Sequence, residues 1–417
     1  MQRAKNANMT VVIGGGIVGL SSALALARAG QRVIAYAPRD DAAPSWGNAG
    51  HIAVEQIAPL ASRAALFAAP RKLFAAGGAL DFPPGMARHW LPFAWRFLRA
   101  TAPRRFLAGQ AALEGLMAGA MPAWRRLVET LDAPDLLSEN GHLVAWESAA
   151  SAKAGQRAWE AAALGTATLA PADARTQAKL AALAEARLFG PVAFTGSGQI
   201  RDLSRLHDCL RAALIDAGVE VRERHADLEL SNGRASIDGV APDAVLIAAG
   251  TGSRLLMEQT GHRTPLIAER GYHIRASANR WPSDLPPVVF EDRAMIVTRY
   301  EHCVQAASFV ELGDPAAPPD PRKWRRLERH VAELGLPIEP PYRRWMGCRP
   351  TLPDYLPAIG KSRRASNLFY AFGHQHLGLT LGPVTAEIVA AMIGDAPPER
   401  DLTPFDIERF QTNGRIS

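Results

Sequence analysis

The hydrophobic pattern is sharpest at the start of the chain. Thr10–Gly16 reads TVVIGGG, a β-branched run that stops at glycines. Ile17–Gly30, IVGLSSALALARAG, follows with apolar residues at helical spacing and a closing glycine. This predicts a strand, a tight turn and a helix. Gln31–Ala37, QRVIAYA, reads as a second strand, and far downstream Asp243–Gly250, DAVLIAAG, reads as a buried parallel strand ending in a small-small-glycine turn. GHLVAWE (141–147) predicts another strand, and GDPAAPPDP (313–321) a surface loop.

The first turn carries Gly14-x-Gly16-x-x-Gly19. Gly14 permits the tight turn, Gly16 lets backbone approach a pyrophosphate, and Gly19 lets helix pack on strand. The helix then presents free N–H groups and a positive dipole end, at Ile17 and Val18, to a phosphate. A strand–turn–helix–strand unit around this motif implies dinucleotide binding. One element of the pattern is missing. An acid usually ends the second strand and holds the adenosine ribose. Here Ala37 stands at that position, followed by Pro38 and Arg39, with Asp40 and Asp41 further along. Arg39 could meet a 2′-phosphate, which keeps a nicotinamide enzyme open as an alternative.

Composition changes the picture little. The chain has 417 residues, 48% hydrophobic and 21% charged, enough for two cored domains and unlike a disordered chain. Three scattered cysteines (Cys209, Cys303, Cys348) fit no zinc spacing and suggest a reducing compartment. The N-terminal apolar run has the outline of a secretory signal. Its bunched glycines argue against that, and no other apolar run of membrane-spanning length interrupts the chain. The expectation is a cytoplasmic protein. Charge is informative: residues 60–110 hold eight Lys/Arg and one Asp, a net +7 against +6 for the whole chain. Phe67, Phe74, Phe82, Trp90, Phe93, Trp95, Phe97 and Phe106 are interleaved with them. Such a segment is either a helical cap with solvated arginines or a peripheral contact with an anionic membrane. No nucleic-acid motif accompanies it.

Five stretches carry a family resemblance: SWGNAGHI (45–52), PLIAERGYHI (265–274), PVVFEDRAMIVTR (287–299), WMGCRPTLPDYLPAIG (345–360) and FGHQHLGLTLGPVTAEIV (372–389). Together with the glycine turn they resemble the FAD-dependent D-amino-acid oxidase/dehydrogenase superfamily that includes glycine oxidase. The bacterial D-amino-acid dehydrogenase branch looks most similar. The histidine-rich closing loop and RGYH are similar to dehydrogenases of D-hydroxyproline or related cyclic D-amino acids.

The resemblance implies an α/β fold, α+β overall: a Rossmann-like FAD-binding domain (1–60, 198–264, 342–417) with an inserted substrate domain of mixed sheet and helices (61–197, 265–341). It implies non-covalent FAD, held first by Gly14, Gly16, Ile17, Val18 and Gly19 and a second time at Gly250. Asn48, Ala49, Gly50 and His51 would lie along the flavin or pyrophosphate. Gly347 stands where some relatives carry a flavin-linking cysteine. Gly378, Leu379 and Thr380 would run beside the flavin N1–C2=O edge, ahead of a helix from about Pro383. Fixed N–H donors there would stabilise the negative charge of reduction.

Arg349 matches the arginine that binds the substrate α-carboxylate. Tyr272 and His273 are candidates around the amine and carboxylate, the more so because Met295 stands where the family often has a tyrosine. His374 or His376 could accept the amine proton. Related oxidases place an arginine where this chain has His376, which weighs against small acyclic substrates. No metal is expected. The implied reaction passes a hydride from Cα to flavin N5, giving an imino acid and sending electrons to a quinone or carrier protein. Three alternatives remain: an oxygen-using oxidase of the glycine/sarcosine type, a non-catalytic flavin-binding subunit, and a nicotinamide dehydrogenase.

Overall fold

The protein, described here from a computed structural model, is defined at residues 8–38, 43–396 and 400–411. Two sheets organise it. The first has six strands in the order 220–222, 32–36, 9–13, 244–247, 368–372 and 358–361. All neighbours are parallel except the last pair. The β-branched run that began the sequence is thus central, with Val12 paired to Ala35 on one side and Leu246 on the other. Parallel strands need cover on both faces. On one face lies the helix Ile17–Arg28 against the closing helix Gly378–Ile393, where Ile17, Leu20, Leu24, Leu379 and Val389 share a core.

The second sheet has nine strands. One edge pairs Arg343–Thr351 with Ile267–Ser277, and the latter with Cys303–Gly313, all antiparallel. The segment after residue 342 therefore enters both sheets: its first strand belongs to the second sheet and its later strands to the first. The back of the second sheet carries a buried charge cluster. Lys323 is fully buried, with Nζ 2.6 Å from Asp81, 2.9 Å from Glu311 and 3.2 Å from Asp320. Arg270 adds a 2.6 Å bond to Glu311. Paired in this way, the charges bind the helix Pro321–Glu333 and the short strand Leu80–Asp81 to the sheet. Loss of one partner would leave its mate buried and uncompensated.

The closing helix corrects one expectation. It begins at Gly378, not near Pro383, so Pro383 lies inside it. A proline there has no N–H for the carbonyl four residues back. That carbonyl belongs to Leu379, and Trp124 Nε1 donates to it at 3.0 Å from a fully buried indole. The neighbouring helix Ala120–Thr130 thereby supplies the missing bond. Gln375–Ile393 is also long and apolar enough to cross a membrane, yet it is mostly buried inside the fold as a core helix.

Trp124→Phe keeps the ring and removes the donor. It should destabilise the protein by about 1–3 kcal/mol, the cost of an unsatisfied buried carbonyl, read as a lower Tm with unchanged secondary structure.

Candidate active site

The carboxyl ends of the central strands open into a cavity of roughly 1280 Å³ that reaches the front of the second sheet. This is larger than the ~300–1,000 Å³ of typical small-ligand clefts. It also lies where the strand order of a doubly wound sheet reverses.

One end is built by the glycine turn. Gly14 has φ +150°, and a Cβ there would lie 2.2 Å from the Ala248 carbonyl oxygen. A Cβ on Gly19 would lie 2.1 Å from the Gly14 oxygen, so helix and strand touch through backbone. Gly16, Ile17 and Val18 line the cavity, and the helix has no side-chain cap hydrogen bond at Gly16. Ser45 Oγ, 3.1 Å from Ile17 N, takes one of the free N–H groups. Gly250, with φ +59°, lines the same region from the strand Ala244–Ile247. At the outer rim stand Tyr36, Pro38 and Arg224. Ala37 is buried and does not line the cavity, while Arg39, Asp40 and Asp41 fall outside the described residues.

A second helix N-terminus points into the cavity from the other side. Gly378 and Leu379 line it at the start of the closing helix, which also has no side-chain cap hydrogen bond. Thr380 does not line it: its Oγ1 accepts from Ala53 N at 2.9 Å. Asn48, Ala49 and His51 are lining residues. The Asn48 side chain is engaged locally, accepting from Gly50 N at 2.9 Å, and its carbonyl accepts from Tyr300 and Gln305. Gly50 has φ +74° and would meet the Tyr300 ring if given a Cβ. Two glycine-lined helix ends facing one cavity fit a ligand with a pyrophosphate and a second electron-rich edge. The residues present therefore suit a flavin dinucleotide.

The family model for FAD-dependent oxidoreductases of the DAO type matches residues 9–392. The chain belongs to that family. It is an FAD-dependent oxidoreductase, and the fit of the glycine cradle is that of the family's cofactor. The chain is similar to a D-amino-acid oxidase of Bradyrhizobium diazoefficiens, 29% identical over 96% of this chain and 98% of the relative. It is also similar to a D-amino acid dehydrogenase of Sinorhizobium medicae, 26% identical over 96% and 99%. Among solved structures, glycine oxidase from Geobacillus kaustophilus shares the fold, with TM-score 0.70 and 19% identity over 97% of this chain and 99% of that one.

The inner end of the cavity is polar. Arg349 lies directly across from Glu269 in the strand register. Arg349 Nη1 is 3.0 Å from Glu269 Oε1 and 3.3 Å from the Phe309 carbonyl. Glu269 Oε2 accepts from Thr351 at 3.2 Å and Tyr355 at 3.3 Å. A Cβ on Gly271 would meet Arg349 Nη2 at 2.4 Å, so the guanidinium lies over that glycine. Arg349 is 26% exposed while Glu269 is 2% exposed. The carboxylate is sealed and the guanidinium faces open space. Gly347 lies under Trp345, whose ring stacks on His273 at 4.8 Å. Cys348 lines the cavity, and burial pushes its thiol up.

The sequence candidates divide. His376 lines the cavity and its Nε2 is 2.5 Å from Gln56 Oε1. Burial pushes it down to about 4, so it is neutral at pH 7. His374 is turned toward the helix, 3.1 Å from Thr385 Oγ1, and burial pushes it down to about 3. His273 faces the cavity side, 3.0 Å from the Gly47 carbonyl. Tyr272 faces the other way. Its hydroxyl donates to Glu311 at 2.9 Å, in the charge cluster behind the sheet. Neighbouring strand residues point to opposite faces, so Tyr272 and His273 cannot both direct side chains at one ligand. The same alternation buries Met295 in the core, while Ala294 and Ile296 line the cavity.

Sequence reasoning also missed Glu269 and Glu55. Glu55 lines the cavity beside His51 and His142, each 4.0 Å from one of its oxygens. His142 Nδ1 is 2.9 Å from Ser197 Oγ. Their potential metal-ligand atoms lie close together, as do those of Asp81, Glu311 and Asp320 behind the second sheet and of Asp202, Glu301 and His302. Burial pushes Glu55 up from 4.5 to about 7, His51 down to about 4 and His142 well down. All three tend toward their neutral forms.

A carboxyl whose folded pKa is raised is harder to ionise in the native state. The penalty is absent below pH 4.5, grows to about pH 7 and is complete above it, on the order of 3 kcal/mol. Glu55→Gln should therefore gain Tm relative to the parent at pH 8, with the gain shrinking toward pH 5. Thermal melts of both proteins at the two pH values check this.

Proposed function

We propose that the protein oxidises a D-amino acid to the corresponding imino acid and passes the electrons to a quinone or carrier protein. The observation that carries this reading is the Arg349–Glu269 pair at the inner end of the cavity. A guanidinium held by a sealed carboxylate keeps one orientation and offers its outer N–H groups to a second carboxylate. Glu269 fixes Arg349, and Arg349 fixes the substrate α-carboxylate. The names of the two relatives, a D-amino-acid oxidase and a D-amino acid dehydrogenase, point to the same substrate class.

FAD, when bound, supplies the hydride acceptor. The protein's part is to orient the Cα–H bond and to manage protons. Arg349 holds the carboxylate end. His376, neutral and bonded through Nε2 to the Gln56 oxygen, keeps Nδ1 as an acceptor for an amine proton. The free N–H groups of the closing helix favour negative charge at their end of the cavity. Apolar Ile296 and Trp345 line the same space and suit a substrate with an apolar ring. We infer a cyclic D-amino acid, such as D-proline or cis-4-hydroxy-D-proline. Residues 60–110 are the face proposed to meet the acceptor or a membrane.

The test is steady-state oxidation of D- and L-forms with an artificial dye as acceptor, with peroxide measured in parallel. Activity toward D-proline with little peroxide supports a dehydrogenase, and stoichiometric peroxide supports the oxidase alternative. Arg349→Met should lower kcat/KM for the D-amino acid roughly 100-fold or more, the loss expected of charge-assisted hydrogen bonds, with FAD still bound. Activity confined to L-forms, or an Arg349→Met protein as active as its parent, would contradict the proposal.

A further inference from the structure

A second cavity, roughly 440 Å³, lies outside the active site between the helices Ala87–Ala100 and Ser253–Gln259. Arg88, Arg96, Arg254 and Arg263 line it, with Glu258 as the single carboxylate among the described lining residues. Glu258 is taken by Arg254 at 3.0 Å. Arg88 hydrogen-bonds the neighbouring His89, and Arg96 donates to the Pro92 carbonyl of its own helix. Among the described residues no carboxylate pairs with Arg88, Arg96 or Arg263. Burial and the charges of Arg263 and Arg254 push Arg96 down, so these groups repel one another. Converging guanidinia without a counter-ion favour a phosphate-like anion.

The helix that supplies Arg88 and Arg96 has a second unusual face. Leu91 is 54% exposed, Trp95 63% and Leu98 49%, at the i, i+4, i+7 spacing of one stripe. With ~100° per residue, these three span roughly 60° of the wheel, and Arg88, Arg99 and Arg96 follow within the next roughly 100°. Phe93 and Phe97 on the far side pack toward Tyr355. The following helix exposes Leu107 at 62% beside exposed Arg104 and Arg105. An apolar stripe bordered by arginines is the layout of a helix lying in a lipid interface.

We propose that this face docks on an anionic phospholipid surface. The arginine cavity takes a lipid phosphate, and the Leu91–Trp95–Leu98 stripe enters the acyl boundary. A second copy of the chain is disfavoured as occupant, because a two-fold interface would set one basic face against another. A free phosphate would leave the apolar stripe unexplained. The proposal deepens the membrane contact suggested above by naming the groups that make it.

The experiment is co-sedimentation of the FAD-loaded full chain with phosphatidylcholine vesicles, with and without phosphatidylglycerol, at about 0.1 M salt. The parent should bind the phosphatidylglycerol vesicles and release at high salt. Arg88→Gln/Arg96→Gln/Arg263→Gln should weaken binding roughly 100-fold. Trp95→Ser/Leu98→Ser should also bind weakly, and both variants should keep their flavin. Equal binding to neutral vesicles, no binding by the parent, or variants that bind like the parent would overturn the proposal. So would a concentration-dependent dimer lost in Trp95→Ser/Leu98→Ser. No turnover is measured, so failure here leaves amino-acid oxidation untouched, and failure of that reaction leaves this result standing.

Discussion

Backbone contact between the first strand and the first helix sets the position of everything else. A Cβ on Gly19 would lie 2.1 Å from the Gly14 oxygen, and one on Gly14 would lie 2.2 Å from the Ala248 oxygen at the end of the adjoining strand. That contact fixes where the helix starts and where its unpaired N–H groups point. The closing helix is then laid against the first, with Gly382 so close to Ile17 that a Cβ would sit 2.8 Å from it. Both N-termini consequently meet at one cavity. A cofactor with negative charge at two separated places is matched by two fixed donors, and no charged side chain need move to meet it.

The closing helix is held by partners far away in the chain. Trp124 satisfies the carbonyl that Pro383 leaves free, and Thr380 ties the helix to Ala53 beside the SWGNAGHI loop. These bonds tie the closing helix at the cavity wall to two stretches that precede it by 255 and 327 residues. The second sheet turns its front face to the cavity and its back face to the buried charge cluster. Along the strand Ile267–Ser277, Glu269 and His273 serve the front, while Arg270 and Tyr272 enter the charge cluster at the back.

Much of this was legible in the sequence where backbone geometry is the signal. Glycine spacing in a strand–turn–helix reports a close approach directly. Side-chain direction was harder. Tyr272 and His273 looked like a pair because they are adjacent, although strand alternation already implied that one would turn away. Glu269 was overlooked for the opposite reason: its partner Arg349 lies 80 residues on, and only cross-strand register brings them together. Glu55 gives little local sign of burial: His51 stands only four residues before it, but His142 reaches it from a distant strand. The onset of the closing helix was misplaced because Pro383 reads as a helix start until Trp124 is seen to compensate it.

The central claim is that the cavity orients an amino acid of one hand against a bound flavin. Rapid mixing of the oxidised, oxygen-free enzyme with D-proline, and separately with L-proline, tests it directly. The account predicts a yellow protein whose flavin is released by acid, whose visible absorbance bleaches in a single turnover with the D-form and stays unchanged with the L-form. A flavin bleached equally by both hands, or by neither they nor any other D-amino acid, would contradict it.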